Sequence, residues 1–294
     1  MAQLIRIGNL QGEYPALVEL VMEEGRPAAP RGLPTRELLD VTLHFVDTTN
    51  LLPVGTGRKL STTLNAYAAA ALVAGRHLPK MAHAIAPGLA AFEADGVDRE
   101  RYGPRTFSQV TGVVQHLLAD PDTREAIAVL QPPRLPTADG GKDFPCTTSI
   151  QFLLRDGALH MTVSMRSNDV WHGLSGDAWV FGQLQHTLAW ALGVRPGAYT
   201  HHAASLHVYE SDVPKARWLH APDREGLLHV QGFRADYLDE GPLSDPGHPL
   251  HRLDDARWLA DSALGRRTGP LEPPPGDRGV MWYQDRLRPF WGPA

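Results

Sequence analysis

The chain has very little sulfur and no long apolar run. Cys146 is the only cysteine among 294 residues, which excludes an internal disulfide and any zinc site built on two or more cysteines. No stretch of about 18 apolar residues is present, so we expect no membrane-spanning helix. The net charge of −5 argues against a general nucleic-acid surface but not against a local anion site. No basic stretch followed by an apolar run opens the chain, so we expect a cytoplasmic protein.

The composition and the length indicate one globular domain. Hydrophobic residues make up 43% of the chain and charged residues 21%, which is ordinary for a soluble protein. A length of 294 residues is generous for one domain and short for two, so a single domain over residues 1–294 is expected. No metal site is predicted.

Apolar spacing and turn residues predict the main elements. Asp156-Gly157 between two apolar runs, 150–154 and 159–165, predicts a β-hairpin. Asp177 stands where a helix N-cap would, and Gly193 ends the apolar spacing that follows. The remaining predictions are a loop over 24–36, strands over 38–46 and 205–209, and helices over 60–74, around 110–118 and around 253–264.

Cys146 has two interpretations. A lone cysteine is most often a small buried hydrophobe. It is a candidate nucleophile here because of the groups that follow it. Arg166 with Ser167 at a strand end suits a phosphate, since a guanidinium binds as a two-pronged fork, and arginine near a cysteine raises the thiolate fraction. His207 and Tyr209 face the same side of a strand, so they can grip one ligand.

Four motifs in a fixed order resemble thymidylate synthase. They are Pro145-Cys146, Arg166-Ser167-Asn168-Asp169, Gly173-Leu174-Ser175-Gly176-Asp177 and His207-Val208-Tyr209. The resemblance is tightest over residues 120–212 and weaker over 31–105. Residues 213–294 do not align, so we expect them to form a divergent part of the same domain.

The resemblance implies a fold and a reaction. The fold would be α+β, with a large mixed β-sheet flanked by helices and a homodimer formed through the sheet. The Cys146 thiolate would add to carbon 6 of a pyrimidine nucleoside monophosphate, which makes carbon 5 nucleophilic toward methylenetetrahydrofolate. Asp169 would lie near the folate and Asp177 would read the base.

The resemblance also assigns the substrate contacts. Arg166, Ser167 and Asn168 belong to the phosphate-binding motif, and His207 and Tyr209 would grip the sugar 3′-hydroxyl. Two further phosphate contacts are implied, and both come from loops. They are Arg124, donated across the dimer to the partner subunit's site, and Arg31, for which Arg36 is the alternative.

Asp177 departs from the thymidylate synthase pattern, because the resemblance implies an asparagine at this position. An amide complements the ring N–H and the carbonyl of uracil, whereas a carboxylate accepts from the amino group of cytosine and can share a proton with the ring nitrogen. Facing uracil, the carboxylate would cost about 1–3 kcal/mol. Aspartate resembles the deoxycytidylate hydroxymethylase branch, in which water rather than hydride completes the reaction. A simple N-cap is the structural alternative.

Ala68 is the second departure, because the resemblance implies a catalytic glutamate there. General acid–base help is worth roughly 10²–10⁴-fold, so its loss weighs against catalysis. The leading hypothesis is a cytidylate or deoxycytidylate 5-hydroxymethyltransferase. The alternatives are a thymidylate synthase that methylates dUMP and a nucleotide-binding relative that does no folate chemistry.

Overall fold

A mixed sheet of eight strands, flanked by helices, organises the protein. The computed structural model describes residues 3–61, 64–65, 68–69, 72, 102–131 and 144–220. The strands are β1 Gln3–Ile7, β2 Arg26–Ala28, β3 Thr35–Phe45, β4 Ile127–Val129, β5 Thr147–Arg155, β6 Ala158–Met165, β7 Asn168–Asp169 and β8 Arg195–Tyr209. The helices are α1 Leu10–Glu24, α2 Tyr102–Ala119, α3 Leu174–Ala191 and α4 Val213–Ala216, with a 3-10 turn at Pro30–Gly32. This confirms the expected α+β class.

The strand order places β8 near the centre of the sheet. The order is β1-β3-β8-β6-β5-β4, with β2 added on β3 and β7 added on β8. Strand β8 runs antiparallel to β3 and parallel to β6 and β7. Apolar side chains of α1 and α3 pack with those of the sheet in one core. Among the described residues, no helix could cross a membrane.

Strand β8 is much longer than the sequence predicts. The predicted strand over 205–209 is its last third, because β8 begins at Arg195. Its first ten residues are largely Gly, Ala, Thr and His, which give a weak apolar pattern. Pairing with β3 on one side and β6 on the other holds them extended all the same, and such tertiary pairing overrides weak strand propensity.

The burial of β8 changes phase at one point. Odd-numbered residues from Gly197 to Ala203 are buried, but from Leu206 the even-numbered ones are. The neighbouring strand changes phase at the paired position, where Asp40 has a φ of 57°. His207 and Tyr209 therefore lie on the less buried face, opposite Leu206 and Val208.

The predicted hairpin and helix ends are mostly confirmed. Asp156 (φ 51°) and Gly157 (φ 67°) form the turn between β5 and β6, and two positive φ values are what a type I′ hairpin turn requires. Helix α2 ends just before Asp120, and Gly193 (φ 69°) follows α3. The described residues between 64 and 72 are helical, as predicted. The predicted helix around 253–264 lies outside the described residues.

One sequence interpretation of Asp177 is wrong. Helix α3 begins at Leu174, so Asp177 lies within the first helical turn rather than at the N-cap. Its backbone N–H donates to the carbonyl oxygen of Gly173 over 2.9 Å. The side chain therefore does not cap this helix. Its carboxyl group instead accepts a hydrogen bond from Asn168.

Candidate active site

Strands β5 and β6 bring Cys146 and Arg166 together. The two residues flank the open end of the hairpin, where Thr147 pairs with Met165. The Arg166 backbone N–H donates to the Cys146 carbonyl oxygen over 2.8 Å, and its Nη2 lies 3.6 Å from the Cys146 Sγ. Cys146 is partly buried and forms no disulfide. The hairpin therefore holds the sulfur and the guanidinium close enough to act on one ligand.

Arg166 is fixed by main-chain acceptors rather than by a carboxylate. Its Nε donates to the Pro145 carbonyl over 3.0 Å and its Nη2 to the Phe144 carbonyl over 2.8 Å. The guanidinium also lies over the Phe144 ring, 5.2 Å from its centre. Among the described residues its Nη1 has no hydrogen-bond partner, and the side chain is exposed. No carboxylate of the described residues pairs with this guanidinium, so it suits an anion, with Ser167 beside it.

Asp177 is held by Asn168. The Asn168 Nδ2 donates to Oδ2 of Asp177 over 2.8 Å. Burial of the carboxyl, opposed by that hydrogen bond and assisted by the charge of Asp169, raises the pKa of Asp177 to about 6. The residue nevertheless keeps part of its surface accessible. A carboxyl that titrates near pH 6 accepts hydrogen bonds when ionised and can also donate one when protonated.

Gly173 makes room for this pair. A Cβ at this position would lie 2.9 Å from Asn168 Nδ2, 3.0 Å from Asp177 Oδ2 and 3.1 Å from the carbonyl oxygen of Asp169. All three contacts are closer than ordinary van der Waals distance. The glycine is thus required by the close approach of the carboxyl and amide groups.

A tight turn follows Asp169 and leads into the segment from Gly173 to Asp177. The Asp169 Oδ1 accepts from the backbone N–H groups of Trp171 (2.8 Å) and His172 (3.1 Å). Two contacts from distant parts of the chain hold the turn in place. Tyr14 donates from its hydroxyl to the Val170 carbonyl over 2.9 Å, and Arg58 lies 4.4 Å from the centre of the Trp171 ring.

His207 and Tyr209 form a wall on the less buried face of β8. Their rings meet edge to face, with centres 5.4 Å apart. His207 pairs with Asp169 on one side and with Glu37 on the other. The sequence prediction that His207 and Tyr209 share a face of the strand is consistent with their equal partial burial.

The turn that carries Arg31 lies close in the sheet to Tyr209, whereas Arg36, the alternative phosphate contact, is bound to other groups of the protein. The turn that carries Arg31 joins β2 to β3, next to the pairing of Thr35 with Tyr209. Arg31 is exposed and has a φ of 56°. Arg36 instead donates to Glu210 and to the Met22 carbonyl, both over 2.8 Å. Of the two arginines, Arg31 is the one available to an anion.

Arg124 lies away from the other candidate residues within one chain. Its carbonyl oxygen accepts from Gln151, and the neighbouring Asp122 carbonyl accepts from Arg155. These partners lie four to eight residues along β5 from Thr147, at about 3.3 Å per residue. The chain by itself does not bring Arg124 to Cys146.

Comparison with known proteins gives one family match and several similar proteins. The sequence profile of thymidylate synthase matches residues 87–225, which include the nucleophile candidate, Arg166, Asp177 and the His207–Tyr209 wall. The chain is similar to this family over these residues, which are slightly less than half of its length. The large mixed sheet expected from that resemblance is present in the structure.

The proteins to which this chain is similar carry the names of different reactions. A deoxyuridylate hydroxymethyltransferase of Bacillus phage SP01 is 29% identical over 248 residues, covering 78% of this chain and 63% of that protein. A putative thymidylate synthase of Methanocaldococcus jannaschii is 32% identical, covering 37% and 50%. The deoxycytidylate 5-hydroxymethyltransferase of Enterobacteria phage T4 is 34% identical, covering 35% and 46%. The matches thus span about half to two thirds of each relative's length.

The position at which thymidylate synthase implies a glutamate holds no acid. Ala68 is helical and partly buried, and Ala69 and Leu72 beside it are buried. One turn earlier, the Asn65 side chain packs against Gly176, where a Cβ would lie 2.7 Å from its Oδ1. An amide therefore lies next to the base-reading turn, but it cannot act as a general base.

Sequence reasoning missed three groups of this site. Tyr14 and Arg58 hold the turn after Asp169, and Asp212 binds His172. The partners are between 40 and 156 residues apart. No local spacing signals such contacts, because they arise only when α1 and the end of β8 meet the turn.

Proposed function

We propose that the protein is a pyrimidine nucleotide 5-hydroxymethyltransferase that acts on dCMP or CMP with methylenetetrahydrofolate. Cys146 adds as thiolate to carbon 6 of the ring. Arg166 and Ser167 hold the phosphate, Arg31 adds a mobile phosphate contact, and His207 with Tyr209 binds the sugar. Asn168 holds the Asp177 carboxyl that faces the base.

The observation that carries the proposal is the Asp177 carboxyl and its raised pKa of about 6. Cytosine presents a ring nitrogen acceptor beside an amino donor. A carboxyl that holds a proton at near-neutral pH can give that proton to the ring nitrogen and accept from the amino group. Protonation of the ring makes carbon 6 more electrophilic and so assists Cys146. Uracil offers no such match and would leave one oxygen facing a carbonyl.

Among the described residues, Asp169 has an oxygen that suits a folate ring. Asp169 uses Oδ1 for its own turn, and among the described residues Oδ2 has no hydrogen-bond partner. That oxygen can accept from the N–H groups of a pterin ring. When bound, methylenetetrahydrofolate supplies a one-carbon unit at the oxidation level of formaldehyde. The part of this chain is to orient the ring beside carbon 5 and to move protons.

Two alternatives rest on specific observations. The relative from phage SP01 is named a deoxyuridylate hydroxymethyltransferase, which favours the same transfer on a uridine nucleotide. Ala68, in place of the glutamate that the family resemblance implies, favours a protein that binds nucleotide without folate chemistry. Methylation of dUMP by a thymidylate synthase is disfavoured by Asp177.

One experiment separates these functions. Release of tritium from carbon 5 of labelled dCMP, CMP and dUMP is measured with and without methylenetetrahydrofolate, and products are identified by mass. The proposal expects folate-dependent release and hydroxymethyl product from a cytidine nucleotide, both abolished in Cys146→Ala. Release from dUMP alone would contradict the role of Asp177. Nucleotide binding without any release would favour the binding protein.

We further propose that the enzyme works as a homodimer. Arg124 is exposed and lies away from Cys146 in its own chain, which is the placement expected of a residue donated to the partner subunit's phosphate site. The sheet face that carries Thr42, His44, Thr200 and His202 is only partly buried within the described residues, so a second copy could pack on it.

A further inference from the structure

His172 and Asp212 form a pair at the edge of the site that the assigned roles leave unused. The His172 Nε2 lies 2.9 Å from Oδ2 of Asp212. The Asp212 side chain is 7% exposed, while 57% of the His172 side chain is exposed. Asp212 is itself fixed, because its N–H donates to the Tyr209 carbonyl and its Oδ1 accepts from Lys215 over 3.1 Å. A buried, anchored carboxylate thus orients an accessible imidazole.

The pairing determines which ring nitrogen carries the proton. A carboxylate accepts hydrogen bonds, so the neutral imidazole keeps its hydrogen on Nε2 and presents a lone pair at Nδ1. Among the described residues Nδ1 has no hydrogen-bond partner. A carboxylate that orients an imidazole in this way is the arrangement that makes histidine an effective general base, since it also stabilises the imidazolium that forms.

His172 and Asp212 are adjacent in the chain or in space to residues assigned to the site. The His172 backbone N–H donates to Oδ1 of Asp169, and the next residue is Gly173, which packs against the Asp177 carboxyl. Asp212 follows Tyr209 by three residues, at the end of the strand that carries the sugar grip. The imidazole therefore lies between the base reader and the sugar-binding strand.

The hydroxymethyl reaction needs a base that the helix around Ala68 does not provide. We propose that His172, oriented by Asp212, takes the proton from the water that completes the reaction; this inference rests on the proposed function. The water oxygen bonds to the methylene carbon attached to carbon 5. The methylene double-bond electrons re-form the double bond between carbons 5 and 6, and the bond to Cys146 breaks, which releases the thiolate. The imidazolium then returns its proton to solvent.

His172→Gln is the decisive variant. The Gln amide nitrogen can still donate to Asp212, so the structural tie remains while the lone pair of the base is lost. We expect unchanged thermal unfolding and, in a single turnover with enzyme in excess, an unchanged rate of folate-dependent tritium release from carbon 5. Over many turnovers the release should slow, because Cys146 stays bonded to the ring until water adds. Hydroxymethyl product per tritium released should fall by about 100-fold, and added 2-mercaptoethanol should trap the methylene as a thioether. His116→Gln is the matched control, because it alters another exposed histidine beside a carboxylate, Glu125 at 3.7 Å.

A second measurement does not depend on turnover. Nitrogen-15 NMR of the protein without ligands, with the His172 signals assigned by their loss in His172→Gln, should show hydrogen on Nε2 and none on Nδ1. Full product from His172→Gln, or a hydrogen on Nδ1, would overturn the inference while leaving the proposed function intact. If the wild-type protein shows no folate-dependent release, the proposed function fails, and the inference fails with it.

Discussion

The Asn168 amide donates to the Asp177 carboxyl over 2.8 Å, while its own Oδ1 is buried without a partner among the described residues. Donation from Nδ2 stabilises the ionised carboxylate. If the amide turned over, Oδ1 could instead accept the proton of a neutral carboxyl. The pair can therefore serve both protonation states of Asp177, which is what proton sharing with a cytosine ring requires.

Asp177→Asn should change the preferred base. The amide complements uracil and leaves cytosine mismatched, at a cost of about 1–3 kcal/mol, which corresponds to roughly 5–150-fold in relative kcat/KM. Competition between labelled dCMP and dUMP, read as tritium release from carbon 5, measures the ratio. An unchanged preference for cytidine nucleotides in this variant would show that Asp177 does not read the base.

Asp177 should also make the stability depend on pH. Its pKa is raised from 3.8 to about 6, so between these values the folded protein binds more protons than the unfolded chain. The free energy of unfolding of the wild type, relative to Asp177→Asn, should therefore fall as pH rises from about 4 to about 6 and then level off. Two units correspond to at most about 3 kcal/mol, and solvent access lowers this to on the order of 2 kcal/mol. Denaturant titrations of both proteins across this range test the sign, and a difference that does not vary with pH would exclude the shift.

Gly173→Ala should disturb the site more than the fold. The added methyl would push apart the Asn168 amide and the Asp177 carboxyl, so we expect kcat/KM for the nucleotide to fall by about 10-fold or more. Gly112→Ala is the control, because among the described residues no atom outside its own stretch of helix lies within 4 Å of its Cβ position. On helix α2 that change should stabilise the protein by about 0.5–1 kcal/mol. Equal losses of activity in both variants would contradict the account of Gly173.

Arg124 should complement Cys146 between subunits. Arg124→Ala and Cys146→Ala should each be nearly inactive alone. After the two are unfolded and refolded together, about a quarter of the wild-type activity should return, because half of the dimers are mixed and each contains one intact site. Activity that stays absent, while light scattering shows mixed dimers, would mean that Arg124 serves its own chain or none.

Turns and hairpins can be predicted from this sequence, but contacts between residues far apart in the chain cannot. Asp156-Gly157 defines a turn by its own backbone preference, so the hairpin that joins Cys146 to Arg166 is predictable. Asp177 lies in the first turn of α3, where its carboxyl comes close to Gly173. Residue spacing in the sequence does not reveal that contact. The pair of His172 with Asp212 has no local signature, since it needs the end of β8 and the turn after β7 to meet.

The buried positions of β8 switch from odd to even residue numbers around Ala204. The site is therefore more sensitive to the number of residues in this part of the strand than to which residues they are. Substitutions near Ala204, which is exposed, should be tolerated. Adding or removing a single residue between Ala203 and Ser205 would instead turn each later side chain of the strand to the opposite face. His207 and Tyr209 would then enter the core, and Leu206 and Val208 would face the nucleotide. Among homologous sequences, this segment should therefore vary in its residues but keep its length.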